Sequence, residues 1–431
     1  MKNSADVAIP ATYQKEHIES PPRTQGLSFR LREKRSRVSA VFTIILGVVL
    51  LNSWWFLSRF VDSQSFDFLK LSAINSHGTD DEPVTGLSQM SDVCDFSRGK
   101  WVPVEKPPLY TNDTCKYIHR SQDCMKNGRP DRGYLNWRWQ PLSCELPPFD
   151  AQLFLQSLKQ KKMAFIGDSI ARNHMHSLLC ALSQVEDPRN VYFDVKEKDA
   201  TWEFVSYNFT LSNIWSPFLV NHTFENNIYH IHLDIPDVVW SSQLPSYDIA
   251  ILSTGYWYFR PSIYYMNNTI LGTNPHSGIN LTIFDKLPAM RQAWETVLNY
   301  MVDNFNGITI MRTITVPHFE SGSWSTGGSC NKTQPLFDPY MNESLPWMSD
   351  AMSKVQNQEF KRAVEHIHSH AIGPKRLRLL NITYSSFLRP DGHPNSFRIM
   401  TPHEPRSDCL HWCLPGPIDT WNEILMQIIL G

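Results

Sequence analysis

Ser169 stands in the run KKMAFIGDSIARNHMHSLL, Lys161 to Leu179, where an apolar strand gives way to a helical pattern. Met163 to Ile166 reads as a short strand and Gly167 permits a sharp bend. From Ile170 onward Met175, Leu178, Leu179 and Leu182 recur at helical spacing. A serine at a strand end and helix start has two chemical uses. As an N-cap its hydroxyl accepts a backbone N–H two or three residues on, an interaction worth about 1 kcal/mol. As a nucleophile it attacks an acyl carbon while the helix N-terminus and nearby amides stabilise the charge developing on the acyl oxygen. The tripeptide Gly-Asp-Ser does not decide between them, because Ala171 stands where a nucleophile elbow has its second glycine.

A nucleophilic serine needs a base, and SDCLHWCLPGPIDTW offers one. Asp408 lies three residues before His411, a spacing that lets a carboxylate in a turn receive the imidazole N–H and orient the ring. Pro415 and Pro417 keep the segment out of a helix, and Cys409 and Cys413 flank His411, so that two disulfides to distant cysteines would pin the loop. A surface turn with incidental Asp and His is the plain alternative. His393 in RPDGHPN is a rival base, although Gly392 and Pro394 read as a turn. Cys409, His411 and Cys413 are close enough to suggest zinc, but no C-x-x-C pair completes a ligand set, and no metal is expected. Gly167 and Asp168 at the bend, with Arg172 and Asn173 one helical turn beyond Ser169, are candidates for holding the oxyanion or orienting donor and acceptor.

These residues must be positioned by a fold. The 431 residues, 42% hydrophobic, suffice for one large domain and a smaller one, and a net charge of −2 excludes the basic footprint of a nucleic-acid binder. Val38 to Leu57 carries no charge and as a helix spans about 30 Å, a hydrocarbon core. Arg30, Arg32, Lys34, Arg35 and Arg37 crowd its N-terminal flank, so the reading is a type II anchor: a cytosolic tail 1–37, a signal anchor 38–57 and a lumenal stem 58–93. After the anchor come all eight cysteines, Cys94, Cys115, Cys124, Cys144, Cys180, Cys330, Cys409 and Cys413, an even number that an oxidising lumen would join as four disulfides of undetermined pairing. Glycosylation sequons at Asn112, Asn208, Asn221, Asn267, Asn280, Asn331, Asn342 and Asn381 also follow it.

Residues 94–150 have no sustained period and read as a cystine-braced N-terminal lobe, in which Trp137 and Trp139 serve either packing or sugar stacking. From residue 151 to 431, helical and strand patterns alternate. Helices are expected near 151–160, 170–183, 287–302, 349–368 and from about 419; strands at MAFIG, EFVSYNFTL, IYHIHL, YDIAIL, GITIMRTIT and LRLLNIT. Such alternation predicts α/β with a mostly parallel sheet, whose sites lie at the carboxyl ends of strands.

The stretches CDFSRGKWV, CMKNGRPDRGYLNWRWQPLSC, MAFIGDSIARNH, LRPDGHPN and DCLHWCLPGPIDTWNEIL resemble, in order, the motifs of the plant trichome birefringence-like family of Golgi polysaccharide O-acetyltransferases. Within it, YNFTLSNIWSPFLV and WSSQLPSYDIAILSTGYWYFRP are similar to the xyloglucan branch. The resemblance implies a GDSL/SGNH-hydrolase-like major lobe with the N-terminal lobe as a minor one. It also implies Ser169, Asp408 and His411 as catalytic triad and a single-pass Golgi membrane protein with its catalytic domain in the lumen. The expected reaction is acetyl transfer through an acetyl-serine to a cell-wall polysaccharide, foremost a xyloglucan side-chain galactose. Xylan, mannan or pectin are alternative acceptors, and an acetylesterase would use the same triad. No cofactor need be bound, but an acetyl donor is required, acetyl-CoA or another carrier. Partners would be the polysaccharide, the Golgi membrane and other wall-biosynthesis proteins, not nucleic acid. The oxyanion would be held by the amides of Ser169 and of Gly255 in STGYWY. Relatives usually have Asn-Thr-Gly-His there, whereas this chain has Ser253 and Tyr256 in place of the Asn and His, which puts any side-chain oxyanion role at those positions in doubt.

Overall fold

The computed structural model describes residues 94–275, 278–324, 326–337, 344–369, 376–399 and 407–430. The Val38–Leu57 anchor, the stem and Asn342 therefore lie outside the described residues; among those described no helix is long and apolar enough to cross a membrane. In chain order the elements are β1 (Gly99–Pro103), β2 (Trp137–Pro141), α1 (Ala151–Ser157), β3 (Lys162–Gly167), α2 (Ser169–Leu182), β4 (Arg189–Phe193), β5 (Ala200–Phe204) and β6 (Phe209–Trp215). Next come β7 (Val220–Glu225), β8 (Ile228–Pro236), the single turn α3 (Val238–Ser241), β9 (Ile249–Ser253), β10 (Ser262–Met266), β11 (Thr269–Thr273) and α4 (Lys286–Asn304). The last are β12 (Ile308–Arg312), α5 (Trp347–Ser369), β13 (Arg376–Leu380), α6 (Thr383–Phe387) and α7 (Asp419–Leu430).

Strand β3 shows why the layers form. Met163 and Phe165 pack into one apolar cluster with Leu178 and Leu179 of α2 and Leu425 of α7, while Ala164 and Ile166 pack into another with Trp294 of α4 and Met352 of α5. Alternate residues thus enter opposite cores, as in a parallel strand covered by helices on both faces. Around it the seven-stranded sheet runs β13-β12-β9-β3-β6-β5-β4, parallel from β13 to β6 and antiparallel at β5 and β4. A second, four-stranded sheet, β11-β10-β8-β7, was not expected from the sequence. The parallel α/β architecture holds, then, but the sheets are mixed.

The main departure lies in EFVSYNFTL, which the sequence reading took as one strand. Phe204 ends β5, a single 3-10 turn covers Val205–Tyr207, and Asn208 at φ 49° turns the chain so that Phe209 of β6 pairs with Phe204. Asparagine tolerates the left-handed region, and both phenylalanines are fully buried, so the reversal is favoured at both levels. In the N-terminal segment β1 and β2 form an antiparallel pair that places Trp101 opposite Trp139. Trp139 is fully buried, meets Trp101 edge to face and donates to the Phe96 carbonyl, so it packs the lobe; Trp137 is half-buried.

The eight cysteines form the four disulfides expected: Cys94–Cys144, Cys115–Cys180, Cys124–Cys413 and Cys330–Cys409. The second ties the N-terminal segment to α2 and the third ties it to the segment before α7, across 289 residues. In the chain-entropy account closures of 65 and 289 residues contribute about 4 and 6 kcal/mol.

Helix α7 begins with a half-buried carboxyl. Asp419 accepts from Tyr110 Oη at 2.6 Å, Ser177 Oγ at 2.5 Å and the Gly416 amide at 2.9 Å, yet burial outweighs these donors and lifts its pKa to about 6. One turn on, burial lifts Glu423 to about 7, with its Oε2 shut from solvent and without a partner among the described residues. Folded-state values above the unfolded ones mean stability that is present at low pH and lost as pH rises from about 4 to 7. Asp408 acts oppositely, its depressed value giving stability that is lost as pH falls below about 4. Histidines such as His119 and His318, which burial lowers to about 4, act in the opposite sense over the same range, so the test is a difference: the thermal midpoint of Glu423→Gln is expected to rise relative to that of the unsubstituted chain between pH 5 and pH 8, and a difference that does not change with pH would contradict this account.

Candidate active site

The segment after β3 explains how Ser169 is presented. A Cβ on Gly167 would meet the Ser253 carbonyl oxygen at 2.0 Å, so only glycine lets β3 and β9 close at this point. Asp168, not Ser169, is the N-cap of α2: its carboxylate accepts from the amides of Ile170 at 2.9 Å and Ala171 at 3.4 Å. Burial raises the Asp168 carboxyl above the usual range, with the Arg312 cation and these two amides opposing. Asp168 is thus corrected from substrate contact to cap. That assignment frees the Ser169 hydroxyl and leaves the Ser169 amide as the first of the helix, without an intrahelical acceptor.

The hydroxyl meets the ring expected of a base. Ser169 Oγ lies 2.7 Å from His411 Nε2, across 242 residues of chain. His411 Nδ1 faces Asp408 Oδ2 at 2.8 Å, which makes Nδ1 the protonated nitrogen and leaves the Nε2 lone pair to the serine. Asp408 is fixed in turn. Its Oδ1 accepts from the amides of Leu410 and His411 at 3.1 and 2.9 Å, and Arg398 Nη1 reaches Oδ2 at 3.2 Å. Burial alone would raise this carboxyl, but His411 and Arg398 hold it well below the usual carboxylate range, so it stays ionised.

The loop carrying His411 has no helix or strand of its own, and outside groups hold it. Disulfides fasten it on both sides, at Cys409 to Cys330 and at Cys413 to Cys124. Asn173 grips it from α2: Oδ1 accepts from the Trp412 amide at 2.8 Å and Nδ2 donates to the Trp412 carbonyl at 3.3 Å. Fully buried and so engaged, Asn173 positions the loop that carries His411; the substrate role expected of it is corrected. His393 likewise does not touch Ser169. A chain of rings runs from the Phe387 carbonyl through His318 and His393 to the His411 carbonyl, in steps of 2.8, 2.7 and 2.7 Å. Arg129, buried beneath, donates to the carbonyls of His393 and Asp391.

Strands on either side of β3 supply the walls. Gly167 pairs with Trp215 at the end of β6 and with Ser253 at the end of β9. Gly255 follows, packed so that a Cβ would meet Ile314 at 2.6 Å. Ser253 Oγ is buried without a partner among the described residues, and the Tyr256 hydroxyl donates to the Thr315 carbonyl, so Tyr256 is turned to the core and not to Ser169. Three aromatic residues that the sequence reading did not single out gather here. Trp215 meets Trp257 edge to face with centroids 5.3 Å apart, and the Arg260 guanidinium lies 4.8 Å from the Trp257 ring and 4.1 Å from that of Trp324. Arg172 lies over Trp215 and donates to the Glu197 carbonyl.

Residues 146–428 match the PC-Esterase family, described as the GDSL/SGNH-like acyl-esterase family found in Pmr5 and Cas1p, and residues 92–145 match the PMR5 N-terminal domain. Protein trichome birefringence-like 25 of Arabidopsis thaliana is 41% identical over 362 residues, 79% of this chain and 78% of the relative. The chain belongs to the trichome birefringence-like family. Two further relatives are Xyloglucan O-acetyltransferase 1 of Arabidopsis thaliana, 36% identical over 83% of this chain and 86% of its own, and Xyloglucan O-acetyltransferase 2 of Populus trichocarpa, 40% identical over 78% and 82%. The two family matches meet between residues 145 and 146, and Cys115–Cys180 and Cys124–Cys413 join the two matched regions covalently.

Asn173→Ala would leave two buried backbone groups of Trp412 unpaired, a loss of about 1–3 kcal/mol for each. Displacement of the imidazole by a fraction of an ångström is then expected to lower kcat by roughly 10–100-fold with KM little changed. A loss carried by KM alone would return Asn173 to the substrate.

Proposed function

We propose that this chain is a polysaccharide O-acetyltransferase working through an acetyl-serine at Ser169, with a plant cell-wall polysaccharide, and specifically the side-chain galactose of xyloglucan, as acceptor. The observation that carries the chemistry is the continuous line Asp408 Oδ2, His411 Nδ1, His411 Nε2, Ser169 Oγ, with steps of 2.8 and 2.7 Å. His411 takes the proton of Ser169 as Oγ attacks the acetyl carbonyl, and passes it to the departing carrier. A sugar hydroxyl then gives its proton to His411 and attacks the acetyl-serine, and His411 returns that proton to Ser169. Asp408 keeps the imidazole in the required tautomer and balances its positive charge in both steps. The amides of Ser169 and Gly255 are the proposed oxyanion donors.

The choice of acceptor is supported by the two relatives whose names state xyloglucan O-acetyltransferase, each covering most of its length. The Trp257–Arg260–Trp324 stack agrees with a sugar acceptor, since rings present apolar faces to pyranose and an arginine can hydrogen-bond hydroxyls. The same reading places the protein in the Golgi membrane, anchored through Val38–Leu57, with its catalytic domain lumenal and glycosylated. In keeping with glycosylation, Asn112, Asn208, Asn221, Asn267, Asn280, Asn331 and Asn381 are all at least partly exposed.

Incubated with an acetyl donor and xyloglucan oligosaccharides, the full chain is expected to yield acetylated galactose, and Ser169→Ala or His411→Ala to lower the rate by about 10⁴-fold or more. Mass spectrometry of the sugar and assay of free acetate read the outcome. Acetate without acetylated sugar would make the protein an esterase; acetylation of xylan, mannan or pectin oligosaccharides in place of xyloglucan would move the acceptor. Full activity in Ser169→Ala would remove the acetyl-serine altogether.

A further inference from the structure

A cavity lies toward the far end of α2 from the nucleophile, and no member of the triad lines it. Its volume is about 180 Å³. Ala181 stands in its wall, twelve residues beyond Ser169 and so a rise of about 18 Å along the helix. Both lobes contribute: Tyr110, Tyr134, Trp137 and Arg138 from the first, Asp419 and Glu423 from the first turns of α7. Lys106, Pro107 and Leu109 of the same lining are exposed, so the cavity opens to solvent. An apolar cavity of about 150 Å³ takes one benzene molecule, so this one has the size for a single six-membered ring.

The polar side chains of the lining divide into those already satisfied and those left over. Asp419 is satisfied, by Tyr110 Oη, Ser177 Oγ and the Gly416 amide. Tyr134 Oη, Arg138 Nε and Glu423 Oε2 are each shut from solvent and without a partner among the described residues. Arg138 Nη2 donates to the Leu146 carbonyl, and the Arg138 charge opposes the rise of the Glu423 carboxyl, so the two lie near each other while Oε2 stays unbonded. Orphaned polar atoms cost free energy that a ligand able to bond them would offset. The three differ in kind: Arg138 Nε only donates, an ionised Glu423 only accepts, and the Tyr134 hydroxyl does either. An anion would suit the first alone and a cation the second alone, whereas neighbouring hydroxyls on one ring serve all three. Trp137 adds a half-buried indole packed against the core, an apolar face beside these polar groups.

We propose that this cavity is a saccharide-binding site separate from the catalytic serine, holding one neutral pyranose unit that undergoes no reaction there. The indole of Trp137 would take the C–H face of the ring, while hydroxyls on its edge donate to Glu423, accept from Arg138 and pair with Tyr134. Such a unit has two sources. One is a polysaccharide, for which the cavity would be a second hold on the polymer, distant from the reacting hydroxyl. The other is a glycan carried by this chain at Asn112, two residues from Tyr110 of the lining and partly exposed. The inference takes its ligand class from the polysaccharide and lumenal reading above, but it needs neither the acetyl-serine nor an acetyl donor.

The test is calorimetric titration of the detergent-solubilised full chain, and of the same chain carrying Asn112→Gln, with cellotetraose and diacetylchitobiose as probes and no acetyl donor. At least one probe is expected to saturate with a Kd below about 1 mM. Trp137→Ala should weaken that binding about tenfold, and Tyr134→Phe, which removes one oxygen and keeps the ring in place, about threefold. Binding to the chain with Asn112 intact supports the site and makes its ligand an external polysaccharide. Binding that appears only in Asn112→Gln supports it too, and shows that the chain's own glycan otherwise fills the cavity. Failure of both probes on both chains, indifference to Trp137→Ala and Tyr134→Phe alike, or a loss confined to Trp257→Ala would each overturn the site. Acetylation of Ser169 by phenyl acetate, read by mass spectrometry, reports separately on the parent reading. If that label forms and the titrations fail, this site alone is lost; if the titrations succeed and no label forms, the site stands and the acetyl-serine falls.

Discussion

The hydrogen bond between Ser169 Oγ and His411 Nε2 joins a helix start to a loop 242 residues away, and much of the molecule serves to keep it at 2.7 Å. The two partners are held by different means. Ser169 is fixed by regular structure, at the head of α2 behind the central strand β3, with Asp168 satisfying the first free amides. His411 lies in a segment without helix or strand, whose backbone must be tied down by groups from elsewhere. Asn173, His393, the Gln122 carbonyl and two disulfides do this, and they come from both lobes. Productive chemistry tolerates an error of only about 0.5 Å, which a free loop would not keep.

From this constraint follows the role of the N-terminal lobe. It contains one short antiparallel strand pair and little other regular structure, yet two of its cysteines reach into the catalytic half, one to α2 and one to the histidine loop. The lobe thereby spans the two halves of the serine–histidine contact. Its own core, with Trp139 and Trp101, needs no sugar to explain it. Cross-links of long separation restrict the unfolded chain most in the entropic account, and the Cys124–Cys413 bridge closes 289 residues. The RPDGHPN turn completes the support: Gly392 lies so close under Trp412 that a Cβ would meet its ring at 2.8 Å, and buried Arg389 pairs with Asp391.

Side chains adjacent in sequence took opposite duties for reasons of direction. Asp168, Ser169, Arg172 and Asn173 all lie at the head of one helix, and the sequence reading grouped them around the substrate. On a helix, Asn173 points a turn further and inward, where it meets Trp412, while Arg172 points toward Trp215 and a cavity. Asp168 precedes the first turn and bonds its amides. The sequence carried a signal for the cap, since Asp is among the strongest N-cap residues, but the serine beside it is one as well. No local pattern distinguished Trp257 and Trp324 from other aromatic residues. What they share is Arg260, whose guanidinium lies near both rings.

What the sequence determined by itself is whatever depends on short-range pattern. Alternating strand and helix periods gave the parallel α/β architecture, an even set of cysteines gave four disulfides, and the Gly-Asp-Ser and Asp-x-x-His spacings marked the residues that meet. The tertiary structure decided which cysteine joins which, that EFVSYNFTL is two strands turning at Asn208, and that a second sheet forms. It also decided that Asp168 caps while Ser169 faces the histidine, and that Asn173 and His393 brace the loop of His411. Pairings of this kind depend on where the chain returns to itself. Spacing along a chain carries no direction for a side chain, and direction is what separates a cap from a nucleophile and a brace from a ligand.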